Sequence, residues 1–269
     1  MAKFLTLNTH SWLGEDPKWA LETLGKQILK ADYDVIALQE INQRIDSAKV
    51  LNTPYTLKNQ HQLHEDNYAL KLVEYLKEHG LTYHFTWAYS HIGYDEYHEG
   101  VALLSKQPFS SEKSVLTSAV DDEYNYHTRR ALIAKTTVAG KELCVVSGHF
   151  SWWKSDFKSE WQRLEQALAD EQAPLIIMGD FNNPENTLGH DLVLASPLGL
   201  KDSHLAAKKV TGGPTILQDI DGWENNDKAL RIDFIFVSQL LEVKESHVLF
   251  DGKKSPLISD HFGVECVIE

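Results

Sequence analysis

Residues 175–182 read LIIMGDFN, and this stretch decides how the rest of the chain is read. A short apolar run ends on Asp180 and Asn182, two oxygen-bearing side chains that flank one residue. In extended chain they project to the same side. The run is therefore expected to be a buried strand whose polar end lies at a sheet edge, where chain-distant groups can meet.

The same design recurs outward in both directions. Apolar runs at 4–8, 35–40, 101–105, 131–138, 143–149, 232–237 and 264–268 read as further strands. Polar residues collect at their ends or just beyond: Asn8, Glu40, His149, Asp233, then Asp260 and His261. Helical periodicity is expected at 17–30, where Asp16 can cap and Pro17 suits the first turn, and at 67–78 and 155–169. The segments 44–66, 91–99, 119–128 and 217–228 are polar or irregular and are expected to be loops around a site. No Pro/Gly/Ser-rich linker or repeat interrupts the alternation, which points to one α/β domain over 1–269.

Composition narrows the partners. With 42% hydrophobic residues the chain can fill a sizeable core. A formal net charge of -13 and only five arginines disfavour a broad electrostatic grip on a polyanion. Cys144 and Cys266 lie in apolar alternating runs and are expected to be buried free thiols. No stretch reaches the ~18 apolar residues of a membrane span, and MAKFLTLNTH lacks the apolar core of a signal peptide, so a cytoplasmic address away from membranes is expected.

Any one Asp or Glu after a strand is more often a turn residue or helix cap than a ligand. The joint pattern carries more weight. LTLN (5–8), ALQE (37–40), EGVALLSK (99–106), SGHF (147–150), GDFN (179–182), RIDFIFVS (231–238) and SDHFGV (259–264) follow one another in order. In this the chain resembles the endonuclease/exonuclease/phosphatase superfamily, similar in fold to pancreatic deoxyribonuclease and exonuclease III.

The resemblance implies a four-layer sandwich, two face-packed mixed β-sheets flanked by helices, and a metal-dependent phosphoesterase. It implies Glu40 as principal metal ligand, with Asn8 beside it and Asp260 assisting. Asp180 and Asn182 would orient or deprotonate the attacking water, and His149 and His261 would contact phosphate oxygens. Glu99 would orient His149, and Asp233 would orient His261. A hard cation such as Mg²⁺, with Mn²⁺ as the alternative, suits these oxygen ligands.

Loop residues must select the ester. One of Arg129 and Arg130 can supply a forked donor to phosphate, although an arginine paired at a strand edge is as common. Trp12, Tyr94, Trp152, Trp153 and Trp223 sit in polar stretches rich in Asp, Glu and Asn, a combination suited to the apolar face and hydroxyls of a sugar. The loops HSW (10–12) and HIGYDEYHEG (91–100) resemble the bacterial maltose 6'-phosphate phosphatase branch. The expected partner is thus a small phosphorylated substrate, a sugar phosphate such as maltose 6'-phosphate. A metal-dependent nuclease of the same superfamily is the alternative, since aromatics also stack on bases, and a non-catalytic binding protein on the same fold is a third.

Overall fold

The computed structural model describes residues 1–51 and 61–269. Part of the loop expected at 44–66 lies outside the described residues. In chain order the elements are β1 (Ala2–Asn8), α1 (Pro17–Ala31), β2 (Val35–Arg44), α2 (Tyr68–Glu78), β3 (His84–Gly93), β4 (Tyr97–Ser105), β5 (Phe109–Leu116), β6 (Arg130–Val138) and β7 (Lys141–His149). They continue with α3 (Phe157–Leu168), β8 (Leu175–Asp180), α4 (Leu188–Leu194), β9 (Leu200–Asp202), α5 (Ser203–Ala206), β10 (Lys209–Thr211), β11 (Asp233–Ser238), β12 (Val243–Leu249) and β13 (Gly263–Ile268).

Two sheets form. One has the order β10-β12-β13-β1-β2-β4-β3 and the other β5-β6-β7-β8-β11-β9. Both are mixed: β1 runs parallel to β2 and antiparallel to β13, and β7 runs parallel to β8 while β11 is antiparallel to it. Alternation along the central strands gives each sheet two apolar faces. In β1, Phe4 packs towards the other sheet with Val145, Ile176 and Ile235, while Leu5 and Leu7 pack outward with Leu24 and Ile28 of α1. On the far side, Phe157, Trp161 and Leu164 of α3 cover Val146, Ile177 and Phe234. The layers are helix, sheet, sheet, helix, as expected.

Polar links cross the inner layer. Gln39 Nε2 donates to Ser147 Oγ at 3.1 Å, and Ser105 and Thr136 share a hydroxyl contact of 2.8 Å. Asp16 caps α1 by accepting from Trp19 N, and Asn67 caps α2 by accepting from Leu70 N. Trp19 itself faces solvent. Cys144 and Cys266 are buried and free. Among the described residues no helix is long and apolar enough to cross a membrane.

One expectation is corrected here. Residues 91–99 are not a loop: β3 runs to Gly93 and β4 begins at Tyr97, so the segment is a tight hairpin with His91 paired opposite Glu99. Tyr94 and Asp95 in its turn have positive φ, the conformation a short hairpin loop demands. The stretches 119–128 and 217–228 are irregular, as expected.

Candidate active site

Motif residues reach the site through three local devices. In β2 the pairing with β4 slips between Leu38 and Ile41, and Glu40 takes φ 52°. This bulge turns Glu40 out of the ladder while Gln39 stays buried between the sheets. In SGHF and GDFN the polar residue is followed by a phenylalanine. Phe150 and Phe181 pack ring to ring at 5.0 Å in the layer under α3, holding His149 and Asp180 at the strand ends. Those two residues are register partners across parallel β7 and β8. The strands close there because Gly148 pairs with Gly179: a Cβ on Gly179 would lie 1.9 Å from the Gly148 carbonyl oxygen.

The groups converge on Asp180, which is buried. Asn8 Nδ2 donates to Asp180 Oδ2 at 3.2 Å and to Glu40 Oε1 at 2.9 Å. His149 Nε2 lies 3.5 Å and His261 Nε2 3.7 Å from Asp180 Oδ2. His261 Nδ1 lies 3.0 Å from Asp233 Oδ2. The Asn182 N–H donates to Asp180 Oδ1 at 2.9 Å, and its side chain is fixed by donating to the Phe150 carbonyl and accepting from Trp223 Nε1 at 2.8 Å. A cavity of about 610 Å³ opens above, lined by Glu40, Glu99, Arg129, His149, Asp180 and His261 among others.

Three expectations change, and the choice left open between two arginines narrows. Glu99 does not reach His149. It stands opposite His91 in the hairpin and its Oε1 lies 3.3 Å from His91 Nε2, because cross-strand partners share a face while His149 ends a strand of the other sheet. Asn8 offers its amide N–H to the two carboxylates, with Oδ1 accepting from His10 N at 3.3 Å, so it bridges Glu40 and Asp180 rather than presenting an oxygen. Trp12 packs edge-on against Tyr68 and donates to the Asp66 carbonyl, away from the cavity. Of the two arginines, Arg129 lines the cavity with Nε buried and unpartnered, whereas Arg130 pairs with Asp121 at 2.6 Å.

Tyr94 and Trp152 line the cavity; Trp152 and Trp223 border a second, adjoining one that also includes Trp153. Sequence reading missed His10, whose Nδ1 lies 3.4 Å from Glu40 Oε2 and 3.8 Å from Asp260 Oδ1. It also missed His91 and Asp221, which accepts from the Tyr94 hydroxyl. His10 belongs to the quoted HSW, so the signal was present. Asp221 lies in an irregular segment with no motif to mark it.

Charge is unevenly shared. Burial, followed by Asp233, pushes Asp180 up to about 7 against the opposing pull of His261. Burial, with the Glu99 and Asp260 carboxylates, raises Glu40. His149 is held well below the usual imidazole range by burial and by Arg129, His261 and His91. Burial also opposes charge on His261, but Asp233 and Asp180 outweigh it and raise that ring well above the usual range. Burial likewise opposes His10, yet Glu40 and Asp260 hold it up at about 9. The two imidazoles beside the same carboxylate are therefore pushed in opposite directions, His149 towards its neutral form and His261 towards its charged form.

The Asp180, Asp233 and His261 groups each offer a ligand atom within 4.8 Å of one another. Glu40 Oε2 is buried and accepts no hydrogen bond. A buried carboxylate oxygen whose nearest cation, His10 Nδ1 at 3.4 Å, falls outside hydrogen-bond geometry, in a cleft richer in carboxylates than in cations, is suited to a divalent cation that takes the place of that imidazole.

The sequence profile of the Endonuclease/Exonuclease/phosphatase family matches residues 11–261. The chain belongs to this family. An endonuclease/exonuclease/phosphatase family protein from Leptotrichia buccalis is 31% identical over 100% of both chains, with a TM-score of 0.88. Two more distant structures share the fold. The Bacteroides thetaiotaomicron mannosyl-6-phosphatase Bt3783 is 18% identical over 100% of both chains, TM-score 0.69. D. rerio TDP2 complexed with single strand DNA product is 16% identical over 100% of this chain and 98% of that one, TM-score 0.67. The search of curated proteins returned no match.

Proposed function

We propose that this family member is a metal-dependent phosphomonoesterase that releases phosphate from a small phosphorylated sugar of the maltose 6'-phosphate kind in the cytoplasm. One observation carries the choice of a small ester. Among the described residues lining the main cavity, Arg129 is the one arginine or lysine, and Glu40, Glu99, Asp221 and Glu224 share the lining. Such a wall suits a single phosphoryl group with hydroxyls around it and repels a continuing phosphate backbone.

Glu40 and Asp260 would hold the cation, Mg²⁺ by the hardness of its oxygen donors. When bound, the cation polarises the phosphoryl oxygen and stabilises the leaving oxygen. Asp180, with its proton affinity brought near neutrality, takes the proton of the attacking water. The backbone N–H of Asn182 fixes the Asp180 carboxylate. Cationic His261 and the Arg129 guanidinium donate to non-bridging phosphate oxygens, and neutral His149 completes the floor.

The test is a screen of phosphorylated mono- and disaccharides, nucleotides and single-stranded DNA with Mg²⁺ or Mn²⁺, scored by phosphate release and by strand cleavage. Release from sugar phosphates with no strand cleavage is expected. Cleavage of DNA without sugar phosphate turnover would refute the proposal in favour of a nuclease.

A further inference from the structure

A second cavity, about 520 Å³, opens beside the first and shares Trp152 and Asn182 with it. Its own walls are Trp153, Trp223, Pro184 and Leu188, with Lys154 as the one cation among the described lining residues. The aromatic wall is fixed in place: Trp223 Nε1 donates to Asn182 Oδ1 at 2.8 Å, and Gly222 packs so close to Trp152 that a Cβ there would lie 2.4 Å from its indole ring. The opposite wall faces solvent, with Trp153 38% and Leu188 63% exposed. Large apolar side chains left in the open at the mouth of a polar cleft, beside pre-set indoles, mark a place where an apolar face is covered on binding.

We propose that this cavity is a second sugar subsite, which stacks the unphosphorylated ring of a disaccharide phosphate while the phosphate occupies the Asp180 cavity. The inference rests on the sugar-phosphate reading above. No carboxylate lines the pocket to pair with a cationic occupant, and the indoles, Pro184 and Leu188 suit an uncharged ring better than an anion, for which Lys154 alone is available. It must have an apolar face for the indoles and hydroxyls for Asn182, Asn183 and Thr187, which is the chemistry of a pyranose. It must also be joined to the phosphorylated part, because the two cavities meet at Trp152 and Asn182. A stacked nucleobase would share the aromatic contact but would carry a phosphate backbone into the acidic walls of the neighbouring Asp180 cavity.

The test compares kcat/KM for maltose 6'-phosphate and glucose 6-phosphate in the wild type, Trp153→Ala and Leu188→Lys. Both substituted side chains are partly exposed, so the variants are expected to fold. The wild type should favour the disaccharide phosphate by roughly tenfold or more, the scale of an apolar pocket contact. Each variant should raise KM for the disaccharide and bring the ratio towards one. Equal wild-type handling of both sugars, or a ratio unchanged in the variants, overturns the subsite and leaves the sugar phosphatase reading intact. No turnover of either sugar overturns both. Competition by a short oligonucleotide that is lost in Trp153→Ala assigns the cavity to a base and overturns the subsite.

Discussion

His261 Nδ1 lies 3.0 Å from Asp233 Oδ2 while its Nε2 turns to Asp180 Oδ2 at 3.7 Å, so one imidazole links a fully buried carboxylate to the central one. Asp233 fixes the ring and favours its charged form; His261 is the group that faces the cavity. His261→Ala should therefore lower kcat/KM by about 10²–10⁴-fold, and Asp233→Asn by less. The double variant should fall close to His261→Ala alone, because the carboxylate acts through the ring. Steady-state phosphate release measures all three, and additive losses would contradict the dyad.

Glu99 and His91 form a second pair at the cavity in which a carboxylate stands against an imidazole, and His91 Nδ1 also contacts the Thr128 carbonyl at 3.0 Å, next to Arg129. The pair thus ties the hairpin to the segment that carries the cavity arginine. In a double-mutant cycle on kcat/KM, Glu99→Gln and His91→Asn should couple strongly, whereas Glu99→Gln and His149→Ala should be nearly additive. The reverse pattern would restore the pairing of Glu99 with His149 that motif order alone implies.

Those two pairs show what the sequence could and could not convey. Apolar runs such as LIIMGD and the motif order mark the central strands and the polar ends that converge, because burial on both faces leaves a continuous apolar signature. The peripheral strands β5 and β12 lack it. In β5 (FSSEKSVL) none of the residues is buried, and β12 (VKESHVL) is only partly covered, so neither carries the pattern of a core strand.

The pairing of Glu99 was illegible for a related reason. It follows from hairpin register, which places His91 opposite Glu99, and register depends on the three-residue turn at 94–96 rather than on any motif. Glu40 was legible as a polar strand end, yet β2 continues past it to Arg44. The bulge that turns it outward is a backbone event with no residue of its own to announce it.

Away from the cavity, Asp202 is held by Arg231 Nη2 at 2.7 Å and His190 Nε2 at 3.1 Å, all three buried. Burial alone would raise its carboxyl, but His190 and Arg231 bring it down to about 2. Its folded value is depressed below the unfolded value of about 4, so the stability it supplies is present above pH ~4 and is lost as pH falls towards 2. Asp202→Asn removes the buried one of two carboxylates on Arg231, leaving Glu185 Oε2 at 2.7 Å, and should cost about 1–3 kcal/mol at neutral pH. Denaturant unfolding across pH should show the gap between wild type and variant closing below pH ~4. A gap independent of pH would mean that the charge of Asp202 does not contribute.

The central claim is that Glu40, whose buried Oε2 meets only the His10 imidazole at 3.4 Å, anchors the cation on which turnover depends. Calorimetric titration of Mg²⁺ into wild type and Glu40→Gln, with phosphate release from maltose 6'-phosphate followed on the same samples, tests it most directly. The variant should bind Mg²⁺ far more weakly and lose about 10²–10³-fold in turnover at limiting metal, the scale of a lost charge-stabilising group. Undiminished Mg²⁺ affinity together with near-wild-type phosphate release would contradict it.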